Sequence, residues 1–153
     1  FKGRMHIGAG TVLTTEQTEL ACDAGAEFII SPDVFGDVIK RTRELGMLSI
    51  PGALTPSEVR EAIRFGADFV KLFPITSLGS EYVKAIKAPL SNVKFLAVGG
   101  INEKNMGEYI MAGVSGFGIG SNIVSKELIK NKKWDEITSL SEKYISALEE
   151  CSR

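Results

Sequence analysis

Three segments of the chain repeat one plan. In AGAEFIISPD (Ala24 to Asp33), FGADFVKLFP (Phe65 to Pro74) and AGVSGFGIGS (Ala112 to Ser121), a glycine able to end a helix is followed by a short connection and an apolar run of strand character. Such a recurring strand-helix unit constrains the fold more than any other feature, because it points to parallel strands joined by right-handed helical crossovers. Reading outward predicts six strands, near Ile7 to Val12, Phe28 to Ser31, Leu48 to Ile50, Phe69 to Phe73, Lys94 to Val98 and Gly116 to Gly120, each followed by a helical pattern. Helix starts are marked by Thr14 with Gln17, by Thr55 with Glu58 and Pro56, and by Asn102 heading a helix through Ala112. Gly25, Gly46, Gly66 and Gly113 mark the ends. Further on, Trp134, Ile137, Leu140, Tyr144, Ile145 and Leu148 share one helical face, a stripe that reads as core packing.

Parallel strands alternating with helices leave an open doubly wound sheet or a closed (β/α)8 barrel. A dinucleotide-binding sheet would carry its glycine fingerprint after the first strand, with an acidic residue about 20 positions later. Here Gly8 and Gly10 precede the end of the first strand, and the glycine pairs lie after the last two strands. That placement favours an α/β fold of the (β/α)8 TIM-barrel type. With no linker or low-complexity stretch, residues 1–153 are expected to form a single domain. A chain that is 44% hydrophobic and 24% charged has an ordinary globular composition. Its net charge of -1 offers no electrostatic footprint for nucleic acid or an anionic membrane. No apolar run approaches the roughly 18 residues of a membrane span, and no basic-then-apolar leader opens the chain, so a cytoplasmic location is expected. Cys22 and Cys151 read as free thiols, and His6 is the only histidine. A histidine triad or multi-histidine metal site could draw on that one residue alone, so neither metal nor cofactor is expected.

Lys71 is the chemical anomaly. It lies within DFVKLFP, Asp68 to Pro74, a segment that otherwise reads as a buried strand. Burial disfavours the ammonium and lowers its pKa, leaving a neutral amine able to attack a carbonyl carbon, as a Schiff-base enzyme requires. The plainer reading is a lysine with a buried stem whose ammonium reaches water at the strand end. Two later motifs bear on the choice. AVGGI (Ala97 to Ile101) and GIGSN (Gly118 to Asn122) end the last two strands and run toward helices. In barrels the loops after strands seven and eight often form a phosphate site from backbone N-H groups and a helix N-terminus. Gly99, Gly100, Gly120 and Ser121 suit that role, since glycine lets an anion approach the backbone. Either pair alone would read as a tight turn, but two pairs in consecutive units favour phosphate. If these are strands seven and eight, the chain supplies strands 3 to 8 and Lys71 lies on the sixth.

GAGTV (Gly8 to Val12), FIISP (Phe28 to Pro32), IPGALTPSE (Ile50 to Glu58), VKLFP (Val70 to Pro74), AVGGI and GIGSN, in this order and spacing, resemble the 2-keto-3-deoxy-6-phosphogluconate (KDPG) and 4-hydroxy-2-oxoglutarate aldolases. The resemblance implies a class I aldolase on a (β/α)8 barrel, assembled as a homotrimer, with Lys71 as the Schiff-base residue. The implied substrate is a phosphorylated 2-keto acid, KDPG or its 6-phosphogalactonate epimer, or else 4-hydroxy-2-oxoglutarate. The implied products are pyruvate and either glyceraldehyde 3-phosphate or glyoxylate. By resemblance Thr11 helps hold the pyruvate carboxylate, Phe73 packs at the lysine, and Pro51 and Gly52 shape the wall of the site. Gly99, Gly100 and Ser121 hold the phosphate. Val98 stands where many KDPG aldolases carry threonine, and valine there resembles the branch acting on the galactonate epimer. The family's glutamate acid/base and its substrate-binding arginines lie on strands that would precede Phe1, so about 50 upstream residues are expected. Without the base, these residues alone would lose roughly 100 to 10,000-fold in proton transfer. Two other readings stay open, a phosphate-binding paralogue without catalysis and another phosphate barrel enzyme resembling thiamine-phosphate synthase.

Overall fold

The computed structural model describes residues 3–151. Its elements alternate as expected: β1 (Gly8–Gly10), α1 (Thr15–Asp23), β2 (Phe28–Ile30), α2 (Gly36–Glu44), β3 (Leu48–Ile50), β4 (Gly52–Ala53), α3 (Pro56–Phe65), β5 (Val70–Leu72), α4 (Gly79–Lys87), β6 (Phe95–Val98), α5 (Met106–Met111), β7 (Gly116–Gly118), α6 (Lys126–Lys130) and α7 (Trp134–Cys151). Each strand except β4 falls inside a segment the sequence marks as one; β4 lies beyond the expected Leu48 to Ile50 and continues the third strand after β3. Every pairing is parallel, in the order β1-β2-β3 and β4-β5-β6-β7. A doubly wound sheet reverses its strand order at a switch point, whereas strictly sequential order is that of a barrel wall.

The break between β3 and β4 has a local cause. Pro51 lacks an N-H and cannot donate to a ladder, so the chain changes partner there, from β2 to β5. The Pro51 carbonyl still accepts from Lys71 N at 2.9 Å, which carries the sheet across the break. Gly52 follows because the chain passes close by: a Cβ there would lie 2.2 Å from the Pro32 carbonyl oxygen.

Alternation along the strands sorts the two faces. Val70, Leu72, Phe95 and Ala97 are fully buried against Val59 and Ala62 of α3, Val83 and Ile86 of α4, and Met106 and Tyr109 of α5. Each Val, Leu, Ile, Phe or Met among them contributes about 1.5–3 kcal/mol by leaving water. A second cluster, Val12, Ile29, Val38 and Met47, covers the β1-β2 end. Lys71 and Leu96 therefore point to the inner face, away from the helices.

Helix boundaries follow the expected signals at most ends. Thr55 and Glu58 form a complete capping box, and Gly25, Gly46, Gly66 and Gly113 adopt left-handed φ values of 88°, 78°, 100° and 94°. Two expectations need correction. Asn102 does not open α5. Its side chain accepts from the N-H groups of Lys104 and Asn105, forming a local turn that delays the helix to Met106. The stripe on α7 is not core throughout, because the short α5 and α6 on which α7 rests cover only a narrow strip. Tyr144 is its one buried residue, while Trp134 is 56% exposed and Ile145 and Leu148 also face water. Among the described residues no helix is long and apolar enough to cross a membrane.

Candidate active site

Strand register assembles the inner face. Gly52, Lys71, Leu96 and Gly116 form one row across β4 to β7. One layer toward the carboxyl ends, Val98 pairs with Gly118, and Phe73 lies two residues beyond Lys71. Glycine flanks Lys71 directly at position 52, so no side chain rises beside the amine on that side. Lys71 is half-buried and forms no ion pair or side-chain hydrogen bond among the described residues. Burial without a counter-ion therefore holds its pKa below the ordinary lysine value of 10.5. Its one close partner is an aromatic face: Nζ lies 4.1 Å from the centroid of the Phe73 ring, itself 37% exposed. A ring in that position stabilises a cationic nitrogen electrostatically, opposing part of the burial effect.

The glycine loops occupy the carboxyl ends of β6 and β7. Gly99 and Gly100 adopt φ of 105° and 70°, a left-handed conformation that favours glycine. Among the described residues, the N-H groups of Gly99, Gly100 and Ser121 donate to no other group. Side chains that sequence reasoning did not assign to the site hold these loops in place. Asn105 Nδ2 donates to the Gly100 carbonyl at 2.9 Å, and Asn122 Nδ2 donates to the Ile101 carbonyl at 2.7 Å, tying the β7 loop to the β6 loop. The asparagines were visible in sequence, but their carbonyl partners were not. Gly120 is different: its φ is not positive, nothing lies within 4 Å of where its Cβ would be, and its carbonyl accepts from Ile123 and Val124. The loops do not run directly into helices as expected. α5 begins at Met106 and α6 at Lys126, so any anion site there rests on loop amides rather than on helix ends.

Thr11 follows β1 with φ 61°, a left-handed conformation that costs a β-branched residue about 1–3 kcal/mol. The neighbouring backbone holds it there, with Val12 N donating to Ile30 O at 3.2 Å and Ser31 Oγ donating to Val12 O at 2.8 Å. Val98 packs on Gly118, whose added Cβ would lie 2.8 Å from Val98 Cγ2, and it presents no hydrogen-bond donor to the inner face. Pro51 and Gly52 are buried beside Lys71. A surface groove lined by Ser57, Arg60, Arg64, Leu90 and Val93 lies elsewhere, on the outer side. Among the described residues no three His, Cys, Asp or Glu side chains converge to ligate a metal.

Sequential parallel strands with an uncompensated lysine on the inner face and unpaired loop amides at the carboxyl ends define a protein of the (β/α)-barrel class. The family model for KDPG and KHG aldolases matches residues 2–140, and the chain belongs to that family. It is similar to the 2-dehydro-3-deoxy-6-phosphogalactonate aldolase of Escherichia coli (strain K12), 40% identical over 118 residues, covering 76% of this chain and 58% of that protein. A solved native KDPGal structure superposes with a TM-score of 0.92 at 32% identity, covering 99% of this chain and 72% of that one. The KDPG aldolase from Legionella pneumophila, with pyruvate captured at low pH as a covalent carbinolamine intermediate, matches with a TM-score of 0.82 at 39% identity, covering 90% of this chain and 67% of that one. The chain thus spans little more than half the length of the curated phosphogalactonate aldolases it matches, 58% and 56%.

Proposed function

We propose that the protein is a class I aldolase that cleaves a phosphorylated 2-keto-3-deoxy sugar acid to pyruvate and glyceraldehyde 3-phosphate, with Lys71 as the Schiff-base nucleophile. The observation that carries this reading is Lys71 itself: half-buried on the inner face, without a counter-ion, and held toward its neutral form. The neutral amine attacks the C2 ketone to form a carbinolamine, the species that the Legionella relative holds with pyruvate. Loss of water gives a protonated imine. A base takes the C4 hydroxyl proton, the C3-C4 bond breaks, and its electron pair moves through C3 to the imine nitrogen. The aldehyde departs, and the remaining enamine is protonated at C3 and hydrolysed to pyruvate, freeing Lys71. The Phe73 ring, 4.1 Å from Nζ, stabilises the cationic imine. Thr11 helps hold the pyruvate carboxylate, Pro51 and Gly52 form the wall beside the amine, and Gly99, Gly100, Gly120 and Ser121 hold the phosphate.

The inner-face rows from β4 to β7 carry no carboxylate, so the base is not assigned to a residue of those strands. Val98, which offers no hydroxyl to the substrate, together with the 40% identity to a phosphogalactonate aldolase, supports the galactonate epimer over KDPG and 4-hydroxy-2-oxoglutarate. The chain acts as one domain within a homotrimer. Cys22 and Cys151, both free thiols, suit the reducing cytoplasm as its compartment.

Borohydride reduction in the presence of pyruvate tests the central claim. A covalent adduct on Lys71, absent in Lys71→Met, is the expected result. A folded sample that forms no adduct yet still binds phosphate would instead support a binding protein without aldolase chemistry. Pyruvate release from each C4 epimer then decides the substrate.

A further inference from the structure

Thr76 lies in the loop between β5 and α4, and nothing in its sequence neighbourhood marks it. Its side chain rests directly against both left-handed glycines of the β6 loop. A Cβ on Gly99 would lie 2.9 Å from Thr76 Oγ1, and one on Gly100 would lie 2.8 Å from Thr76 Cγ2 and 3.2 Å from Oγ1. The hydroxyl is solvent-exposed and has no hydrogen-bond partner among the described residues. Around it the loop is well held. Ile75 N donates to the Val98 carbonyl at 3.1 Å, and Leu78 and Gly79 fold back onto the Ile75 carbonyl. Thr76 thus sits on an anchored turn, at the end of the strand that carries Lys71, beside amides that also lack partners.

We propose that the Thr76 hydroxyl is a further phosphate-binding group, donating a hydrogen bond to an oxygen of a phosphate monoester seated over the Gly99 and Gly100 amides. A phosphate monoester presents three acceptor oxygens, and donors converging from two loops satisfy more of them than the glycine amides alone. The contact also joins the strand of Lys71 to the anion loop, so both ends of one substrate are positioned by β5 and its loop. This inference rests on the phosphate reading proposed above and adds a donor which that reading does not contain.

Titration of the purified protein with glycerol 3-phosphate, followed at the Gly99 and Gly100 amides by NMR, tests it. Thr76→Val keeps the shape that packs on the glycines but removes the donor, and it is expected to weaken binding about tenfold. Thr76→Ser keeps the donor and should bind within about twofold of the parent. Unchanged affinity in Thr76→Val overturns the proposal. So does an equal loss in both variants, which would assign Thr76 a packing role, and so does a parent chain that fails to bind the probe. Borohydride trapping with pyruvate is read separately: failure of the Lys71 adduct removes the aldolase reading, while the titration still decides Thr76.

Discussion

Lys71 shows how one residue's environment sets its chemistry. A lysine on an exposed strand would keep the ordinary lysine pKa and stay protonated at neutral pH. Here burial is the sole cause of its lowered pKa. Adduct formation with pyruvate should therefore rise with pH with a midpoint below the ordinary value of 10.5. Trapping rates measured across the alkaline range check this, and a midpoint at or above that value would contradict it. Linkage gives a second expectation of definite sign. Between the depressed folded pKa and the unfolded value the unfolded chain binds more protons, so stability rises with pH through that window. Lys71→Met should lack the rise. Both tests separate a desolvated amine from one that reaches water freely. The sequence exposed the anomaly of a lysine among Phe69, Val70, Leu72 and Phe73. It could not show that the lysine's neighbours in the row would be Gly52 and Leu96, because strand register arises only when the sheet assembles.

Among the elements, α3 was the most legible. Thr55, Pro56 and Glu58 start it and Gly66 ends it, because capping joins residues within four positions of one another. Thr55 Oγ1 accepts from Glu58 N at 3.3 Å, and the Glu58 carboxylate accepts from the N-H groups of Leu54 at 2.8 Å and Thr55 at 2.7 Å. Those backbone bonds, Leu54 first, lower the pKa of Glu58 below 4.5. Thr55→Ala should cost about 1 kcal/mol, seen as a lower urea midpoint at unchanged slope, with pyruvate trapping intact. A shift near zero would mean that the cap adds nothing to the packed helix. The less legible elements depend on distant partners. α5 begins late because the Asn102 side chain takes two loop amides, and α7 exposes Trp134 because its supporting helices are short. The split at Pro51 was half visible: proline announces a lost donor, but the switch from β2 to β5 is a property of the sheet.

For the whole molecule, the surface carries large apolar side chains that the single chain leaves uncovered, among them Leu20 on α1, Ile63 on α3 and Met111 on α5, the last 85% exposed. Association of copies would remove such groups from water. Light scattering on the purified protein should return three protomer masses, and a monomer at micromolar concentration would overturn the proposed homotrimer.

What the sequence by itself determined was the order and type of the elements, the helix ends, the oddity of Lys71 and the two glycine loops. All of these are written in short-range patterns, where a residue's chemistry and its nearest neighbours suffice. Only the tertiary structure decided which of those pieces meet. Thr76 rests on Gly99 and Gly100, Asn122 binds the Ile101 carbonyl, and Gly52 lies against Pro32 because parallel crossovers bring distant stretches of chain to one end of the sheet. Register and packing across the whole sheet fix those contacts, and no local pattern carries that information.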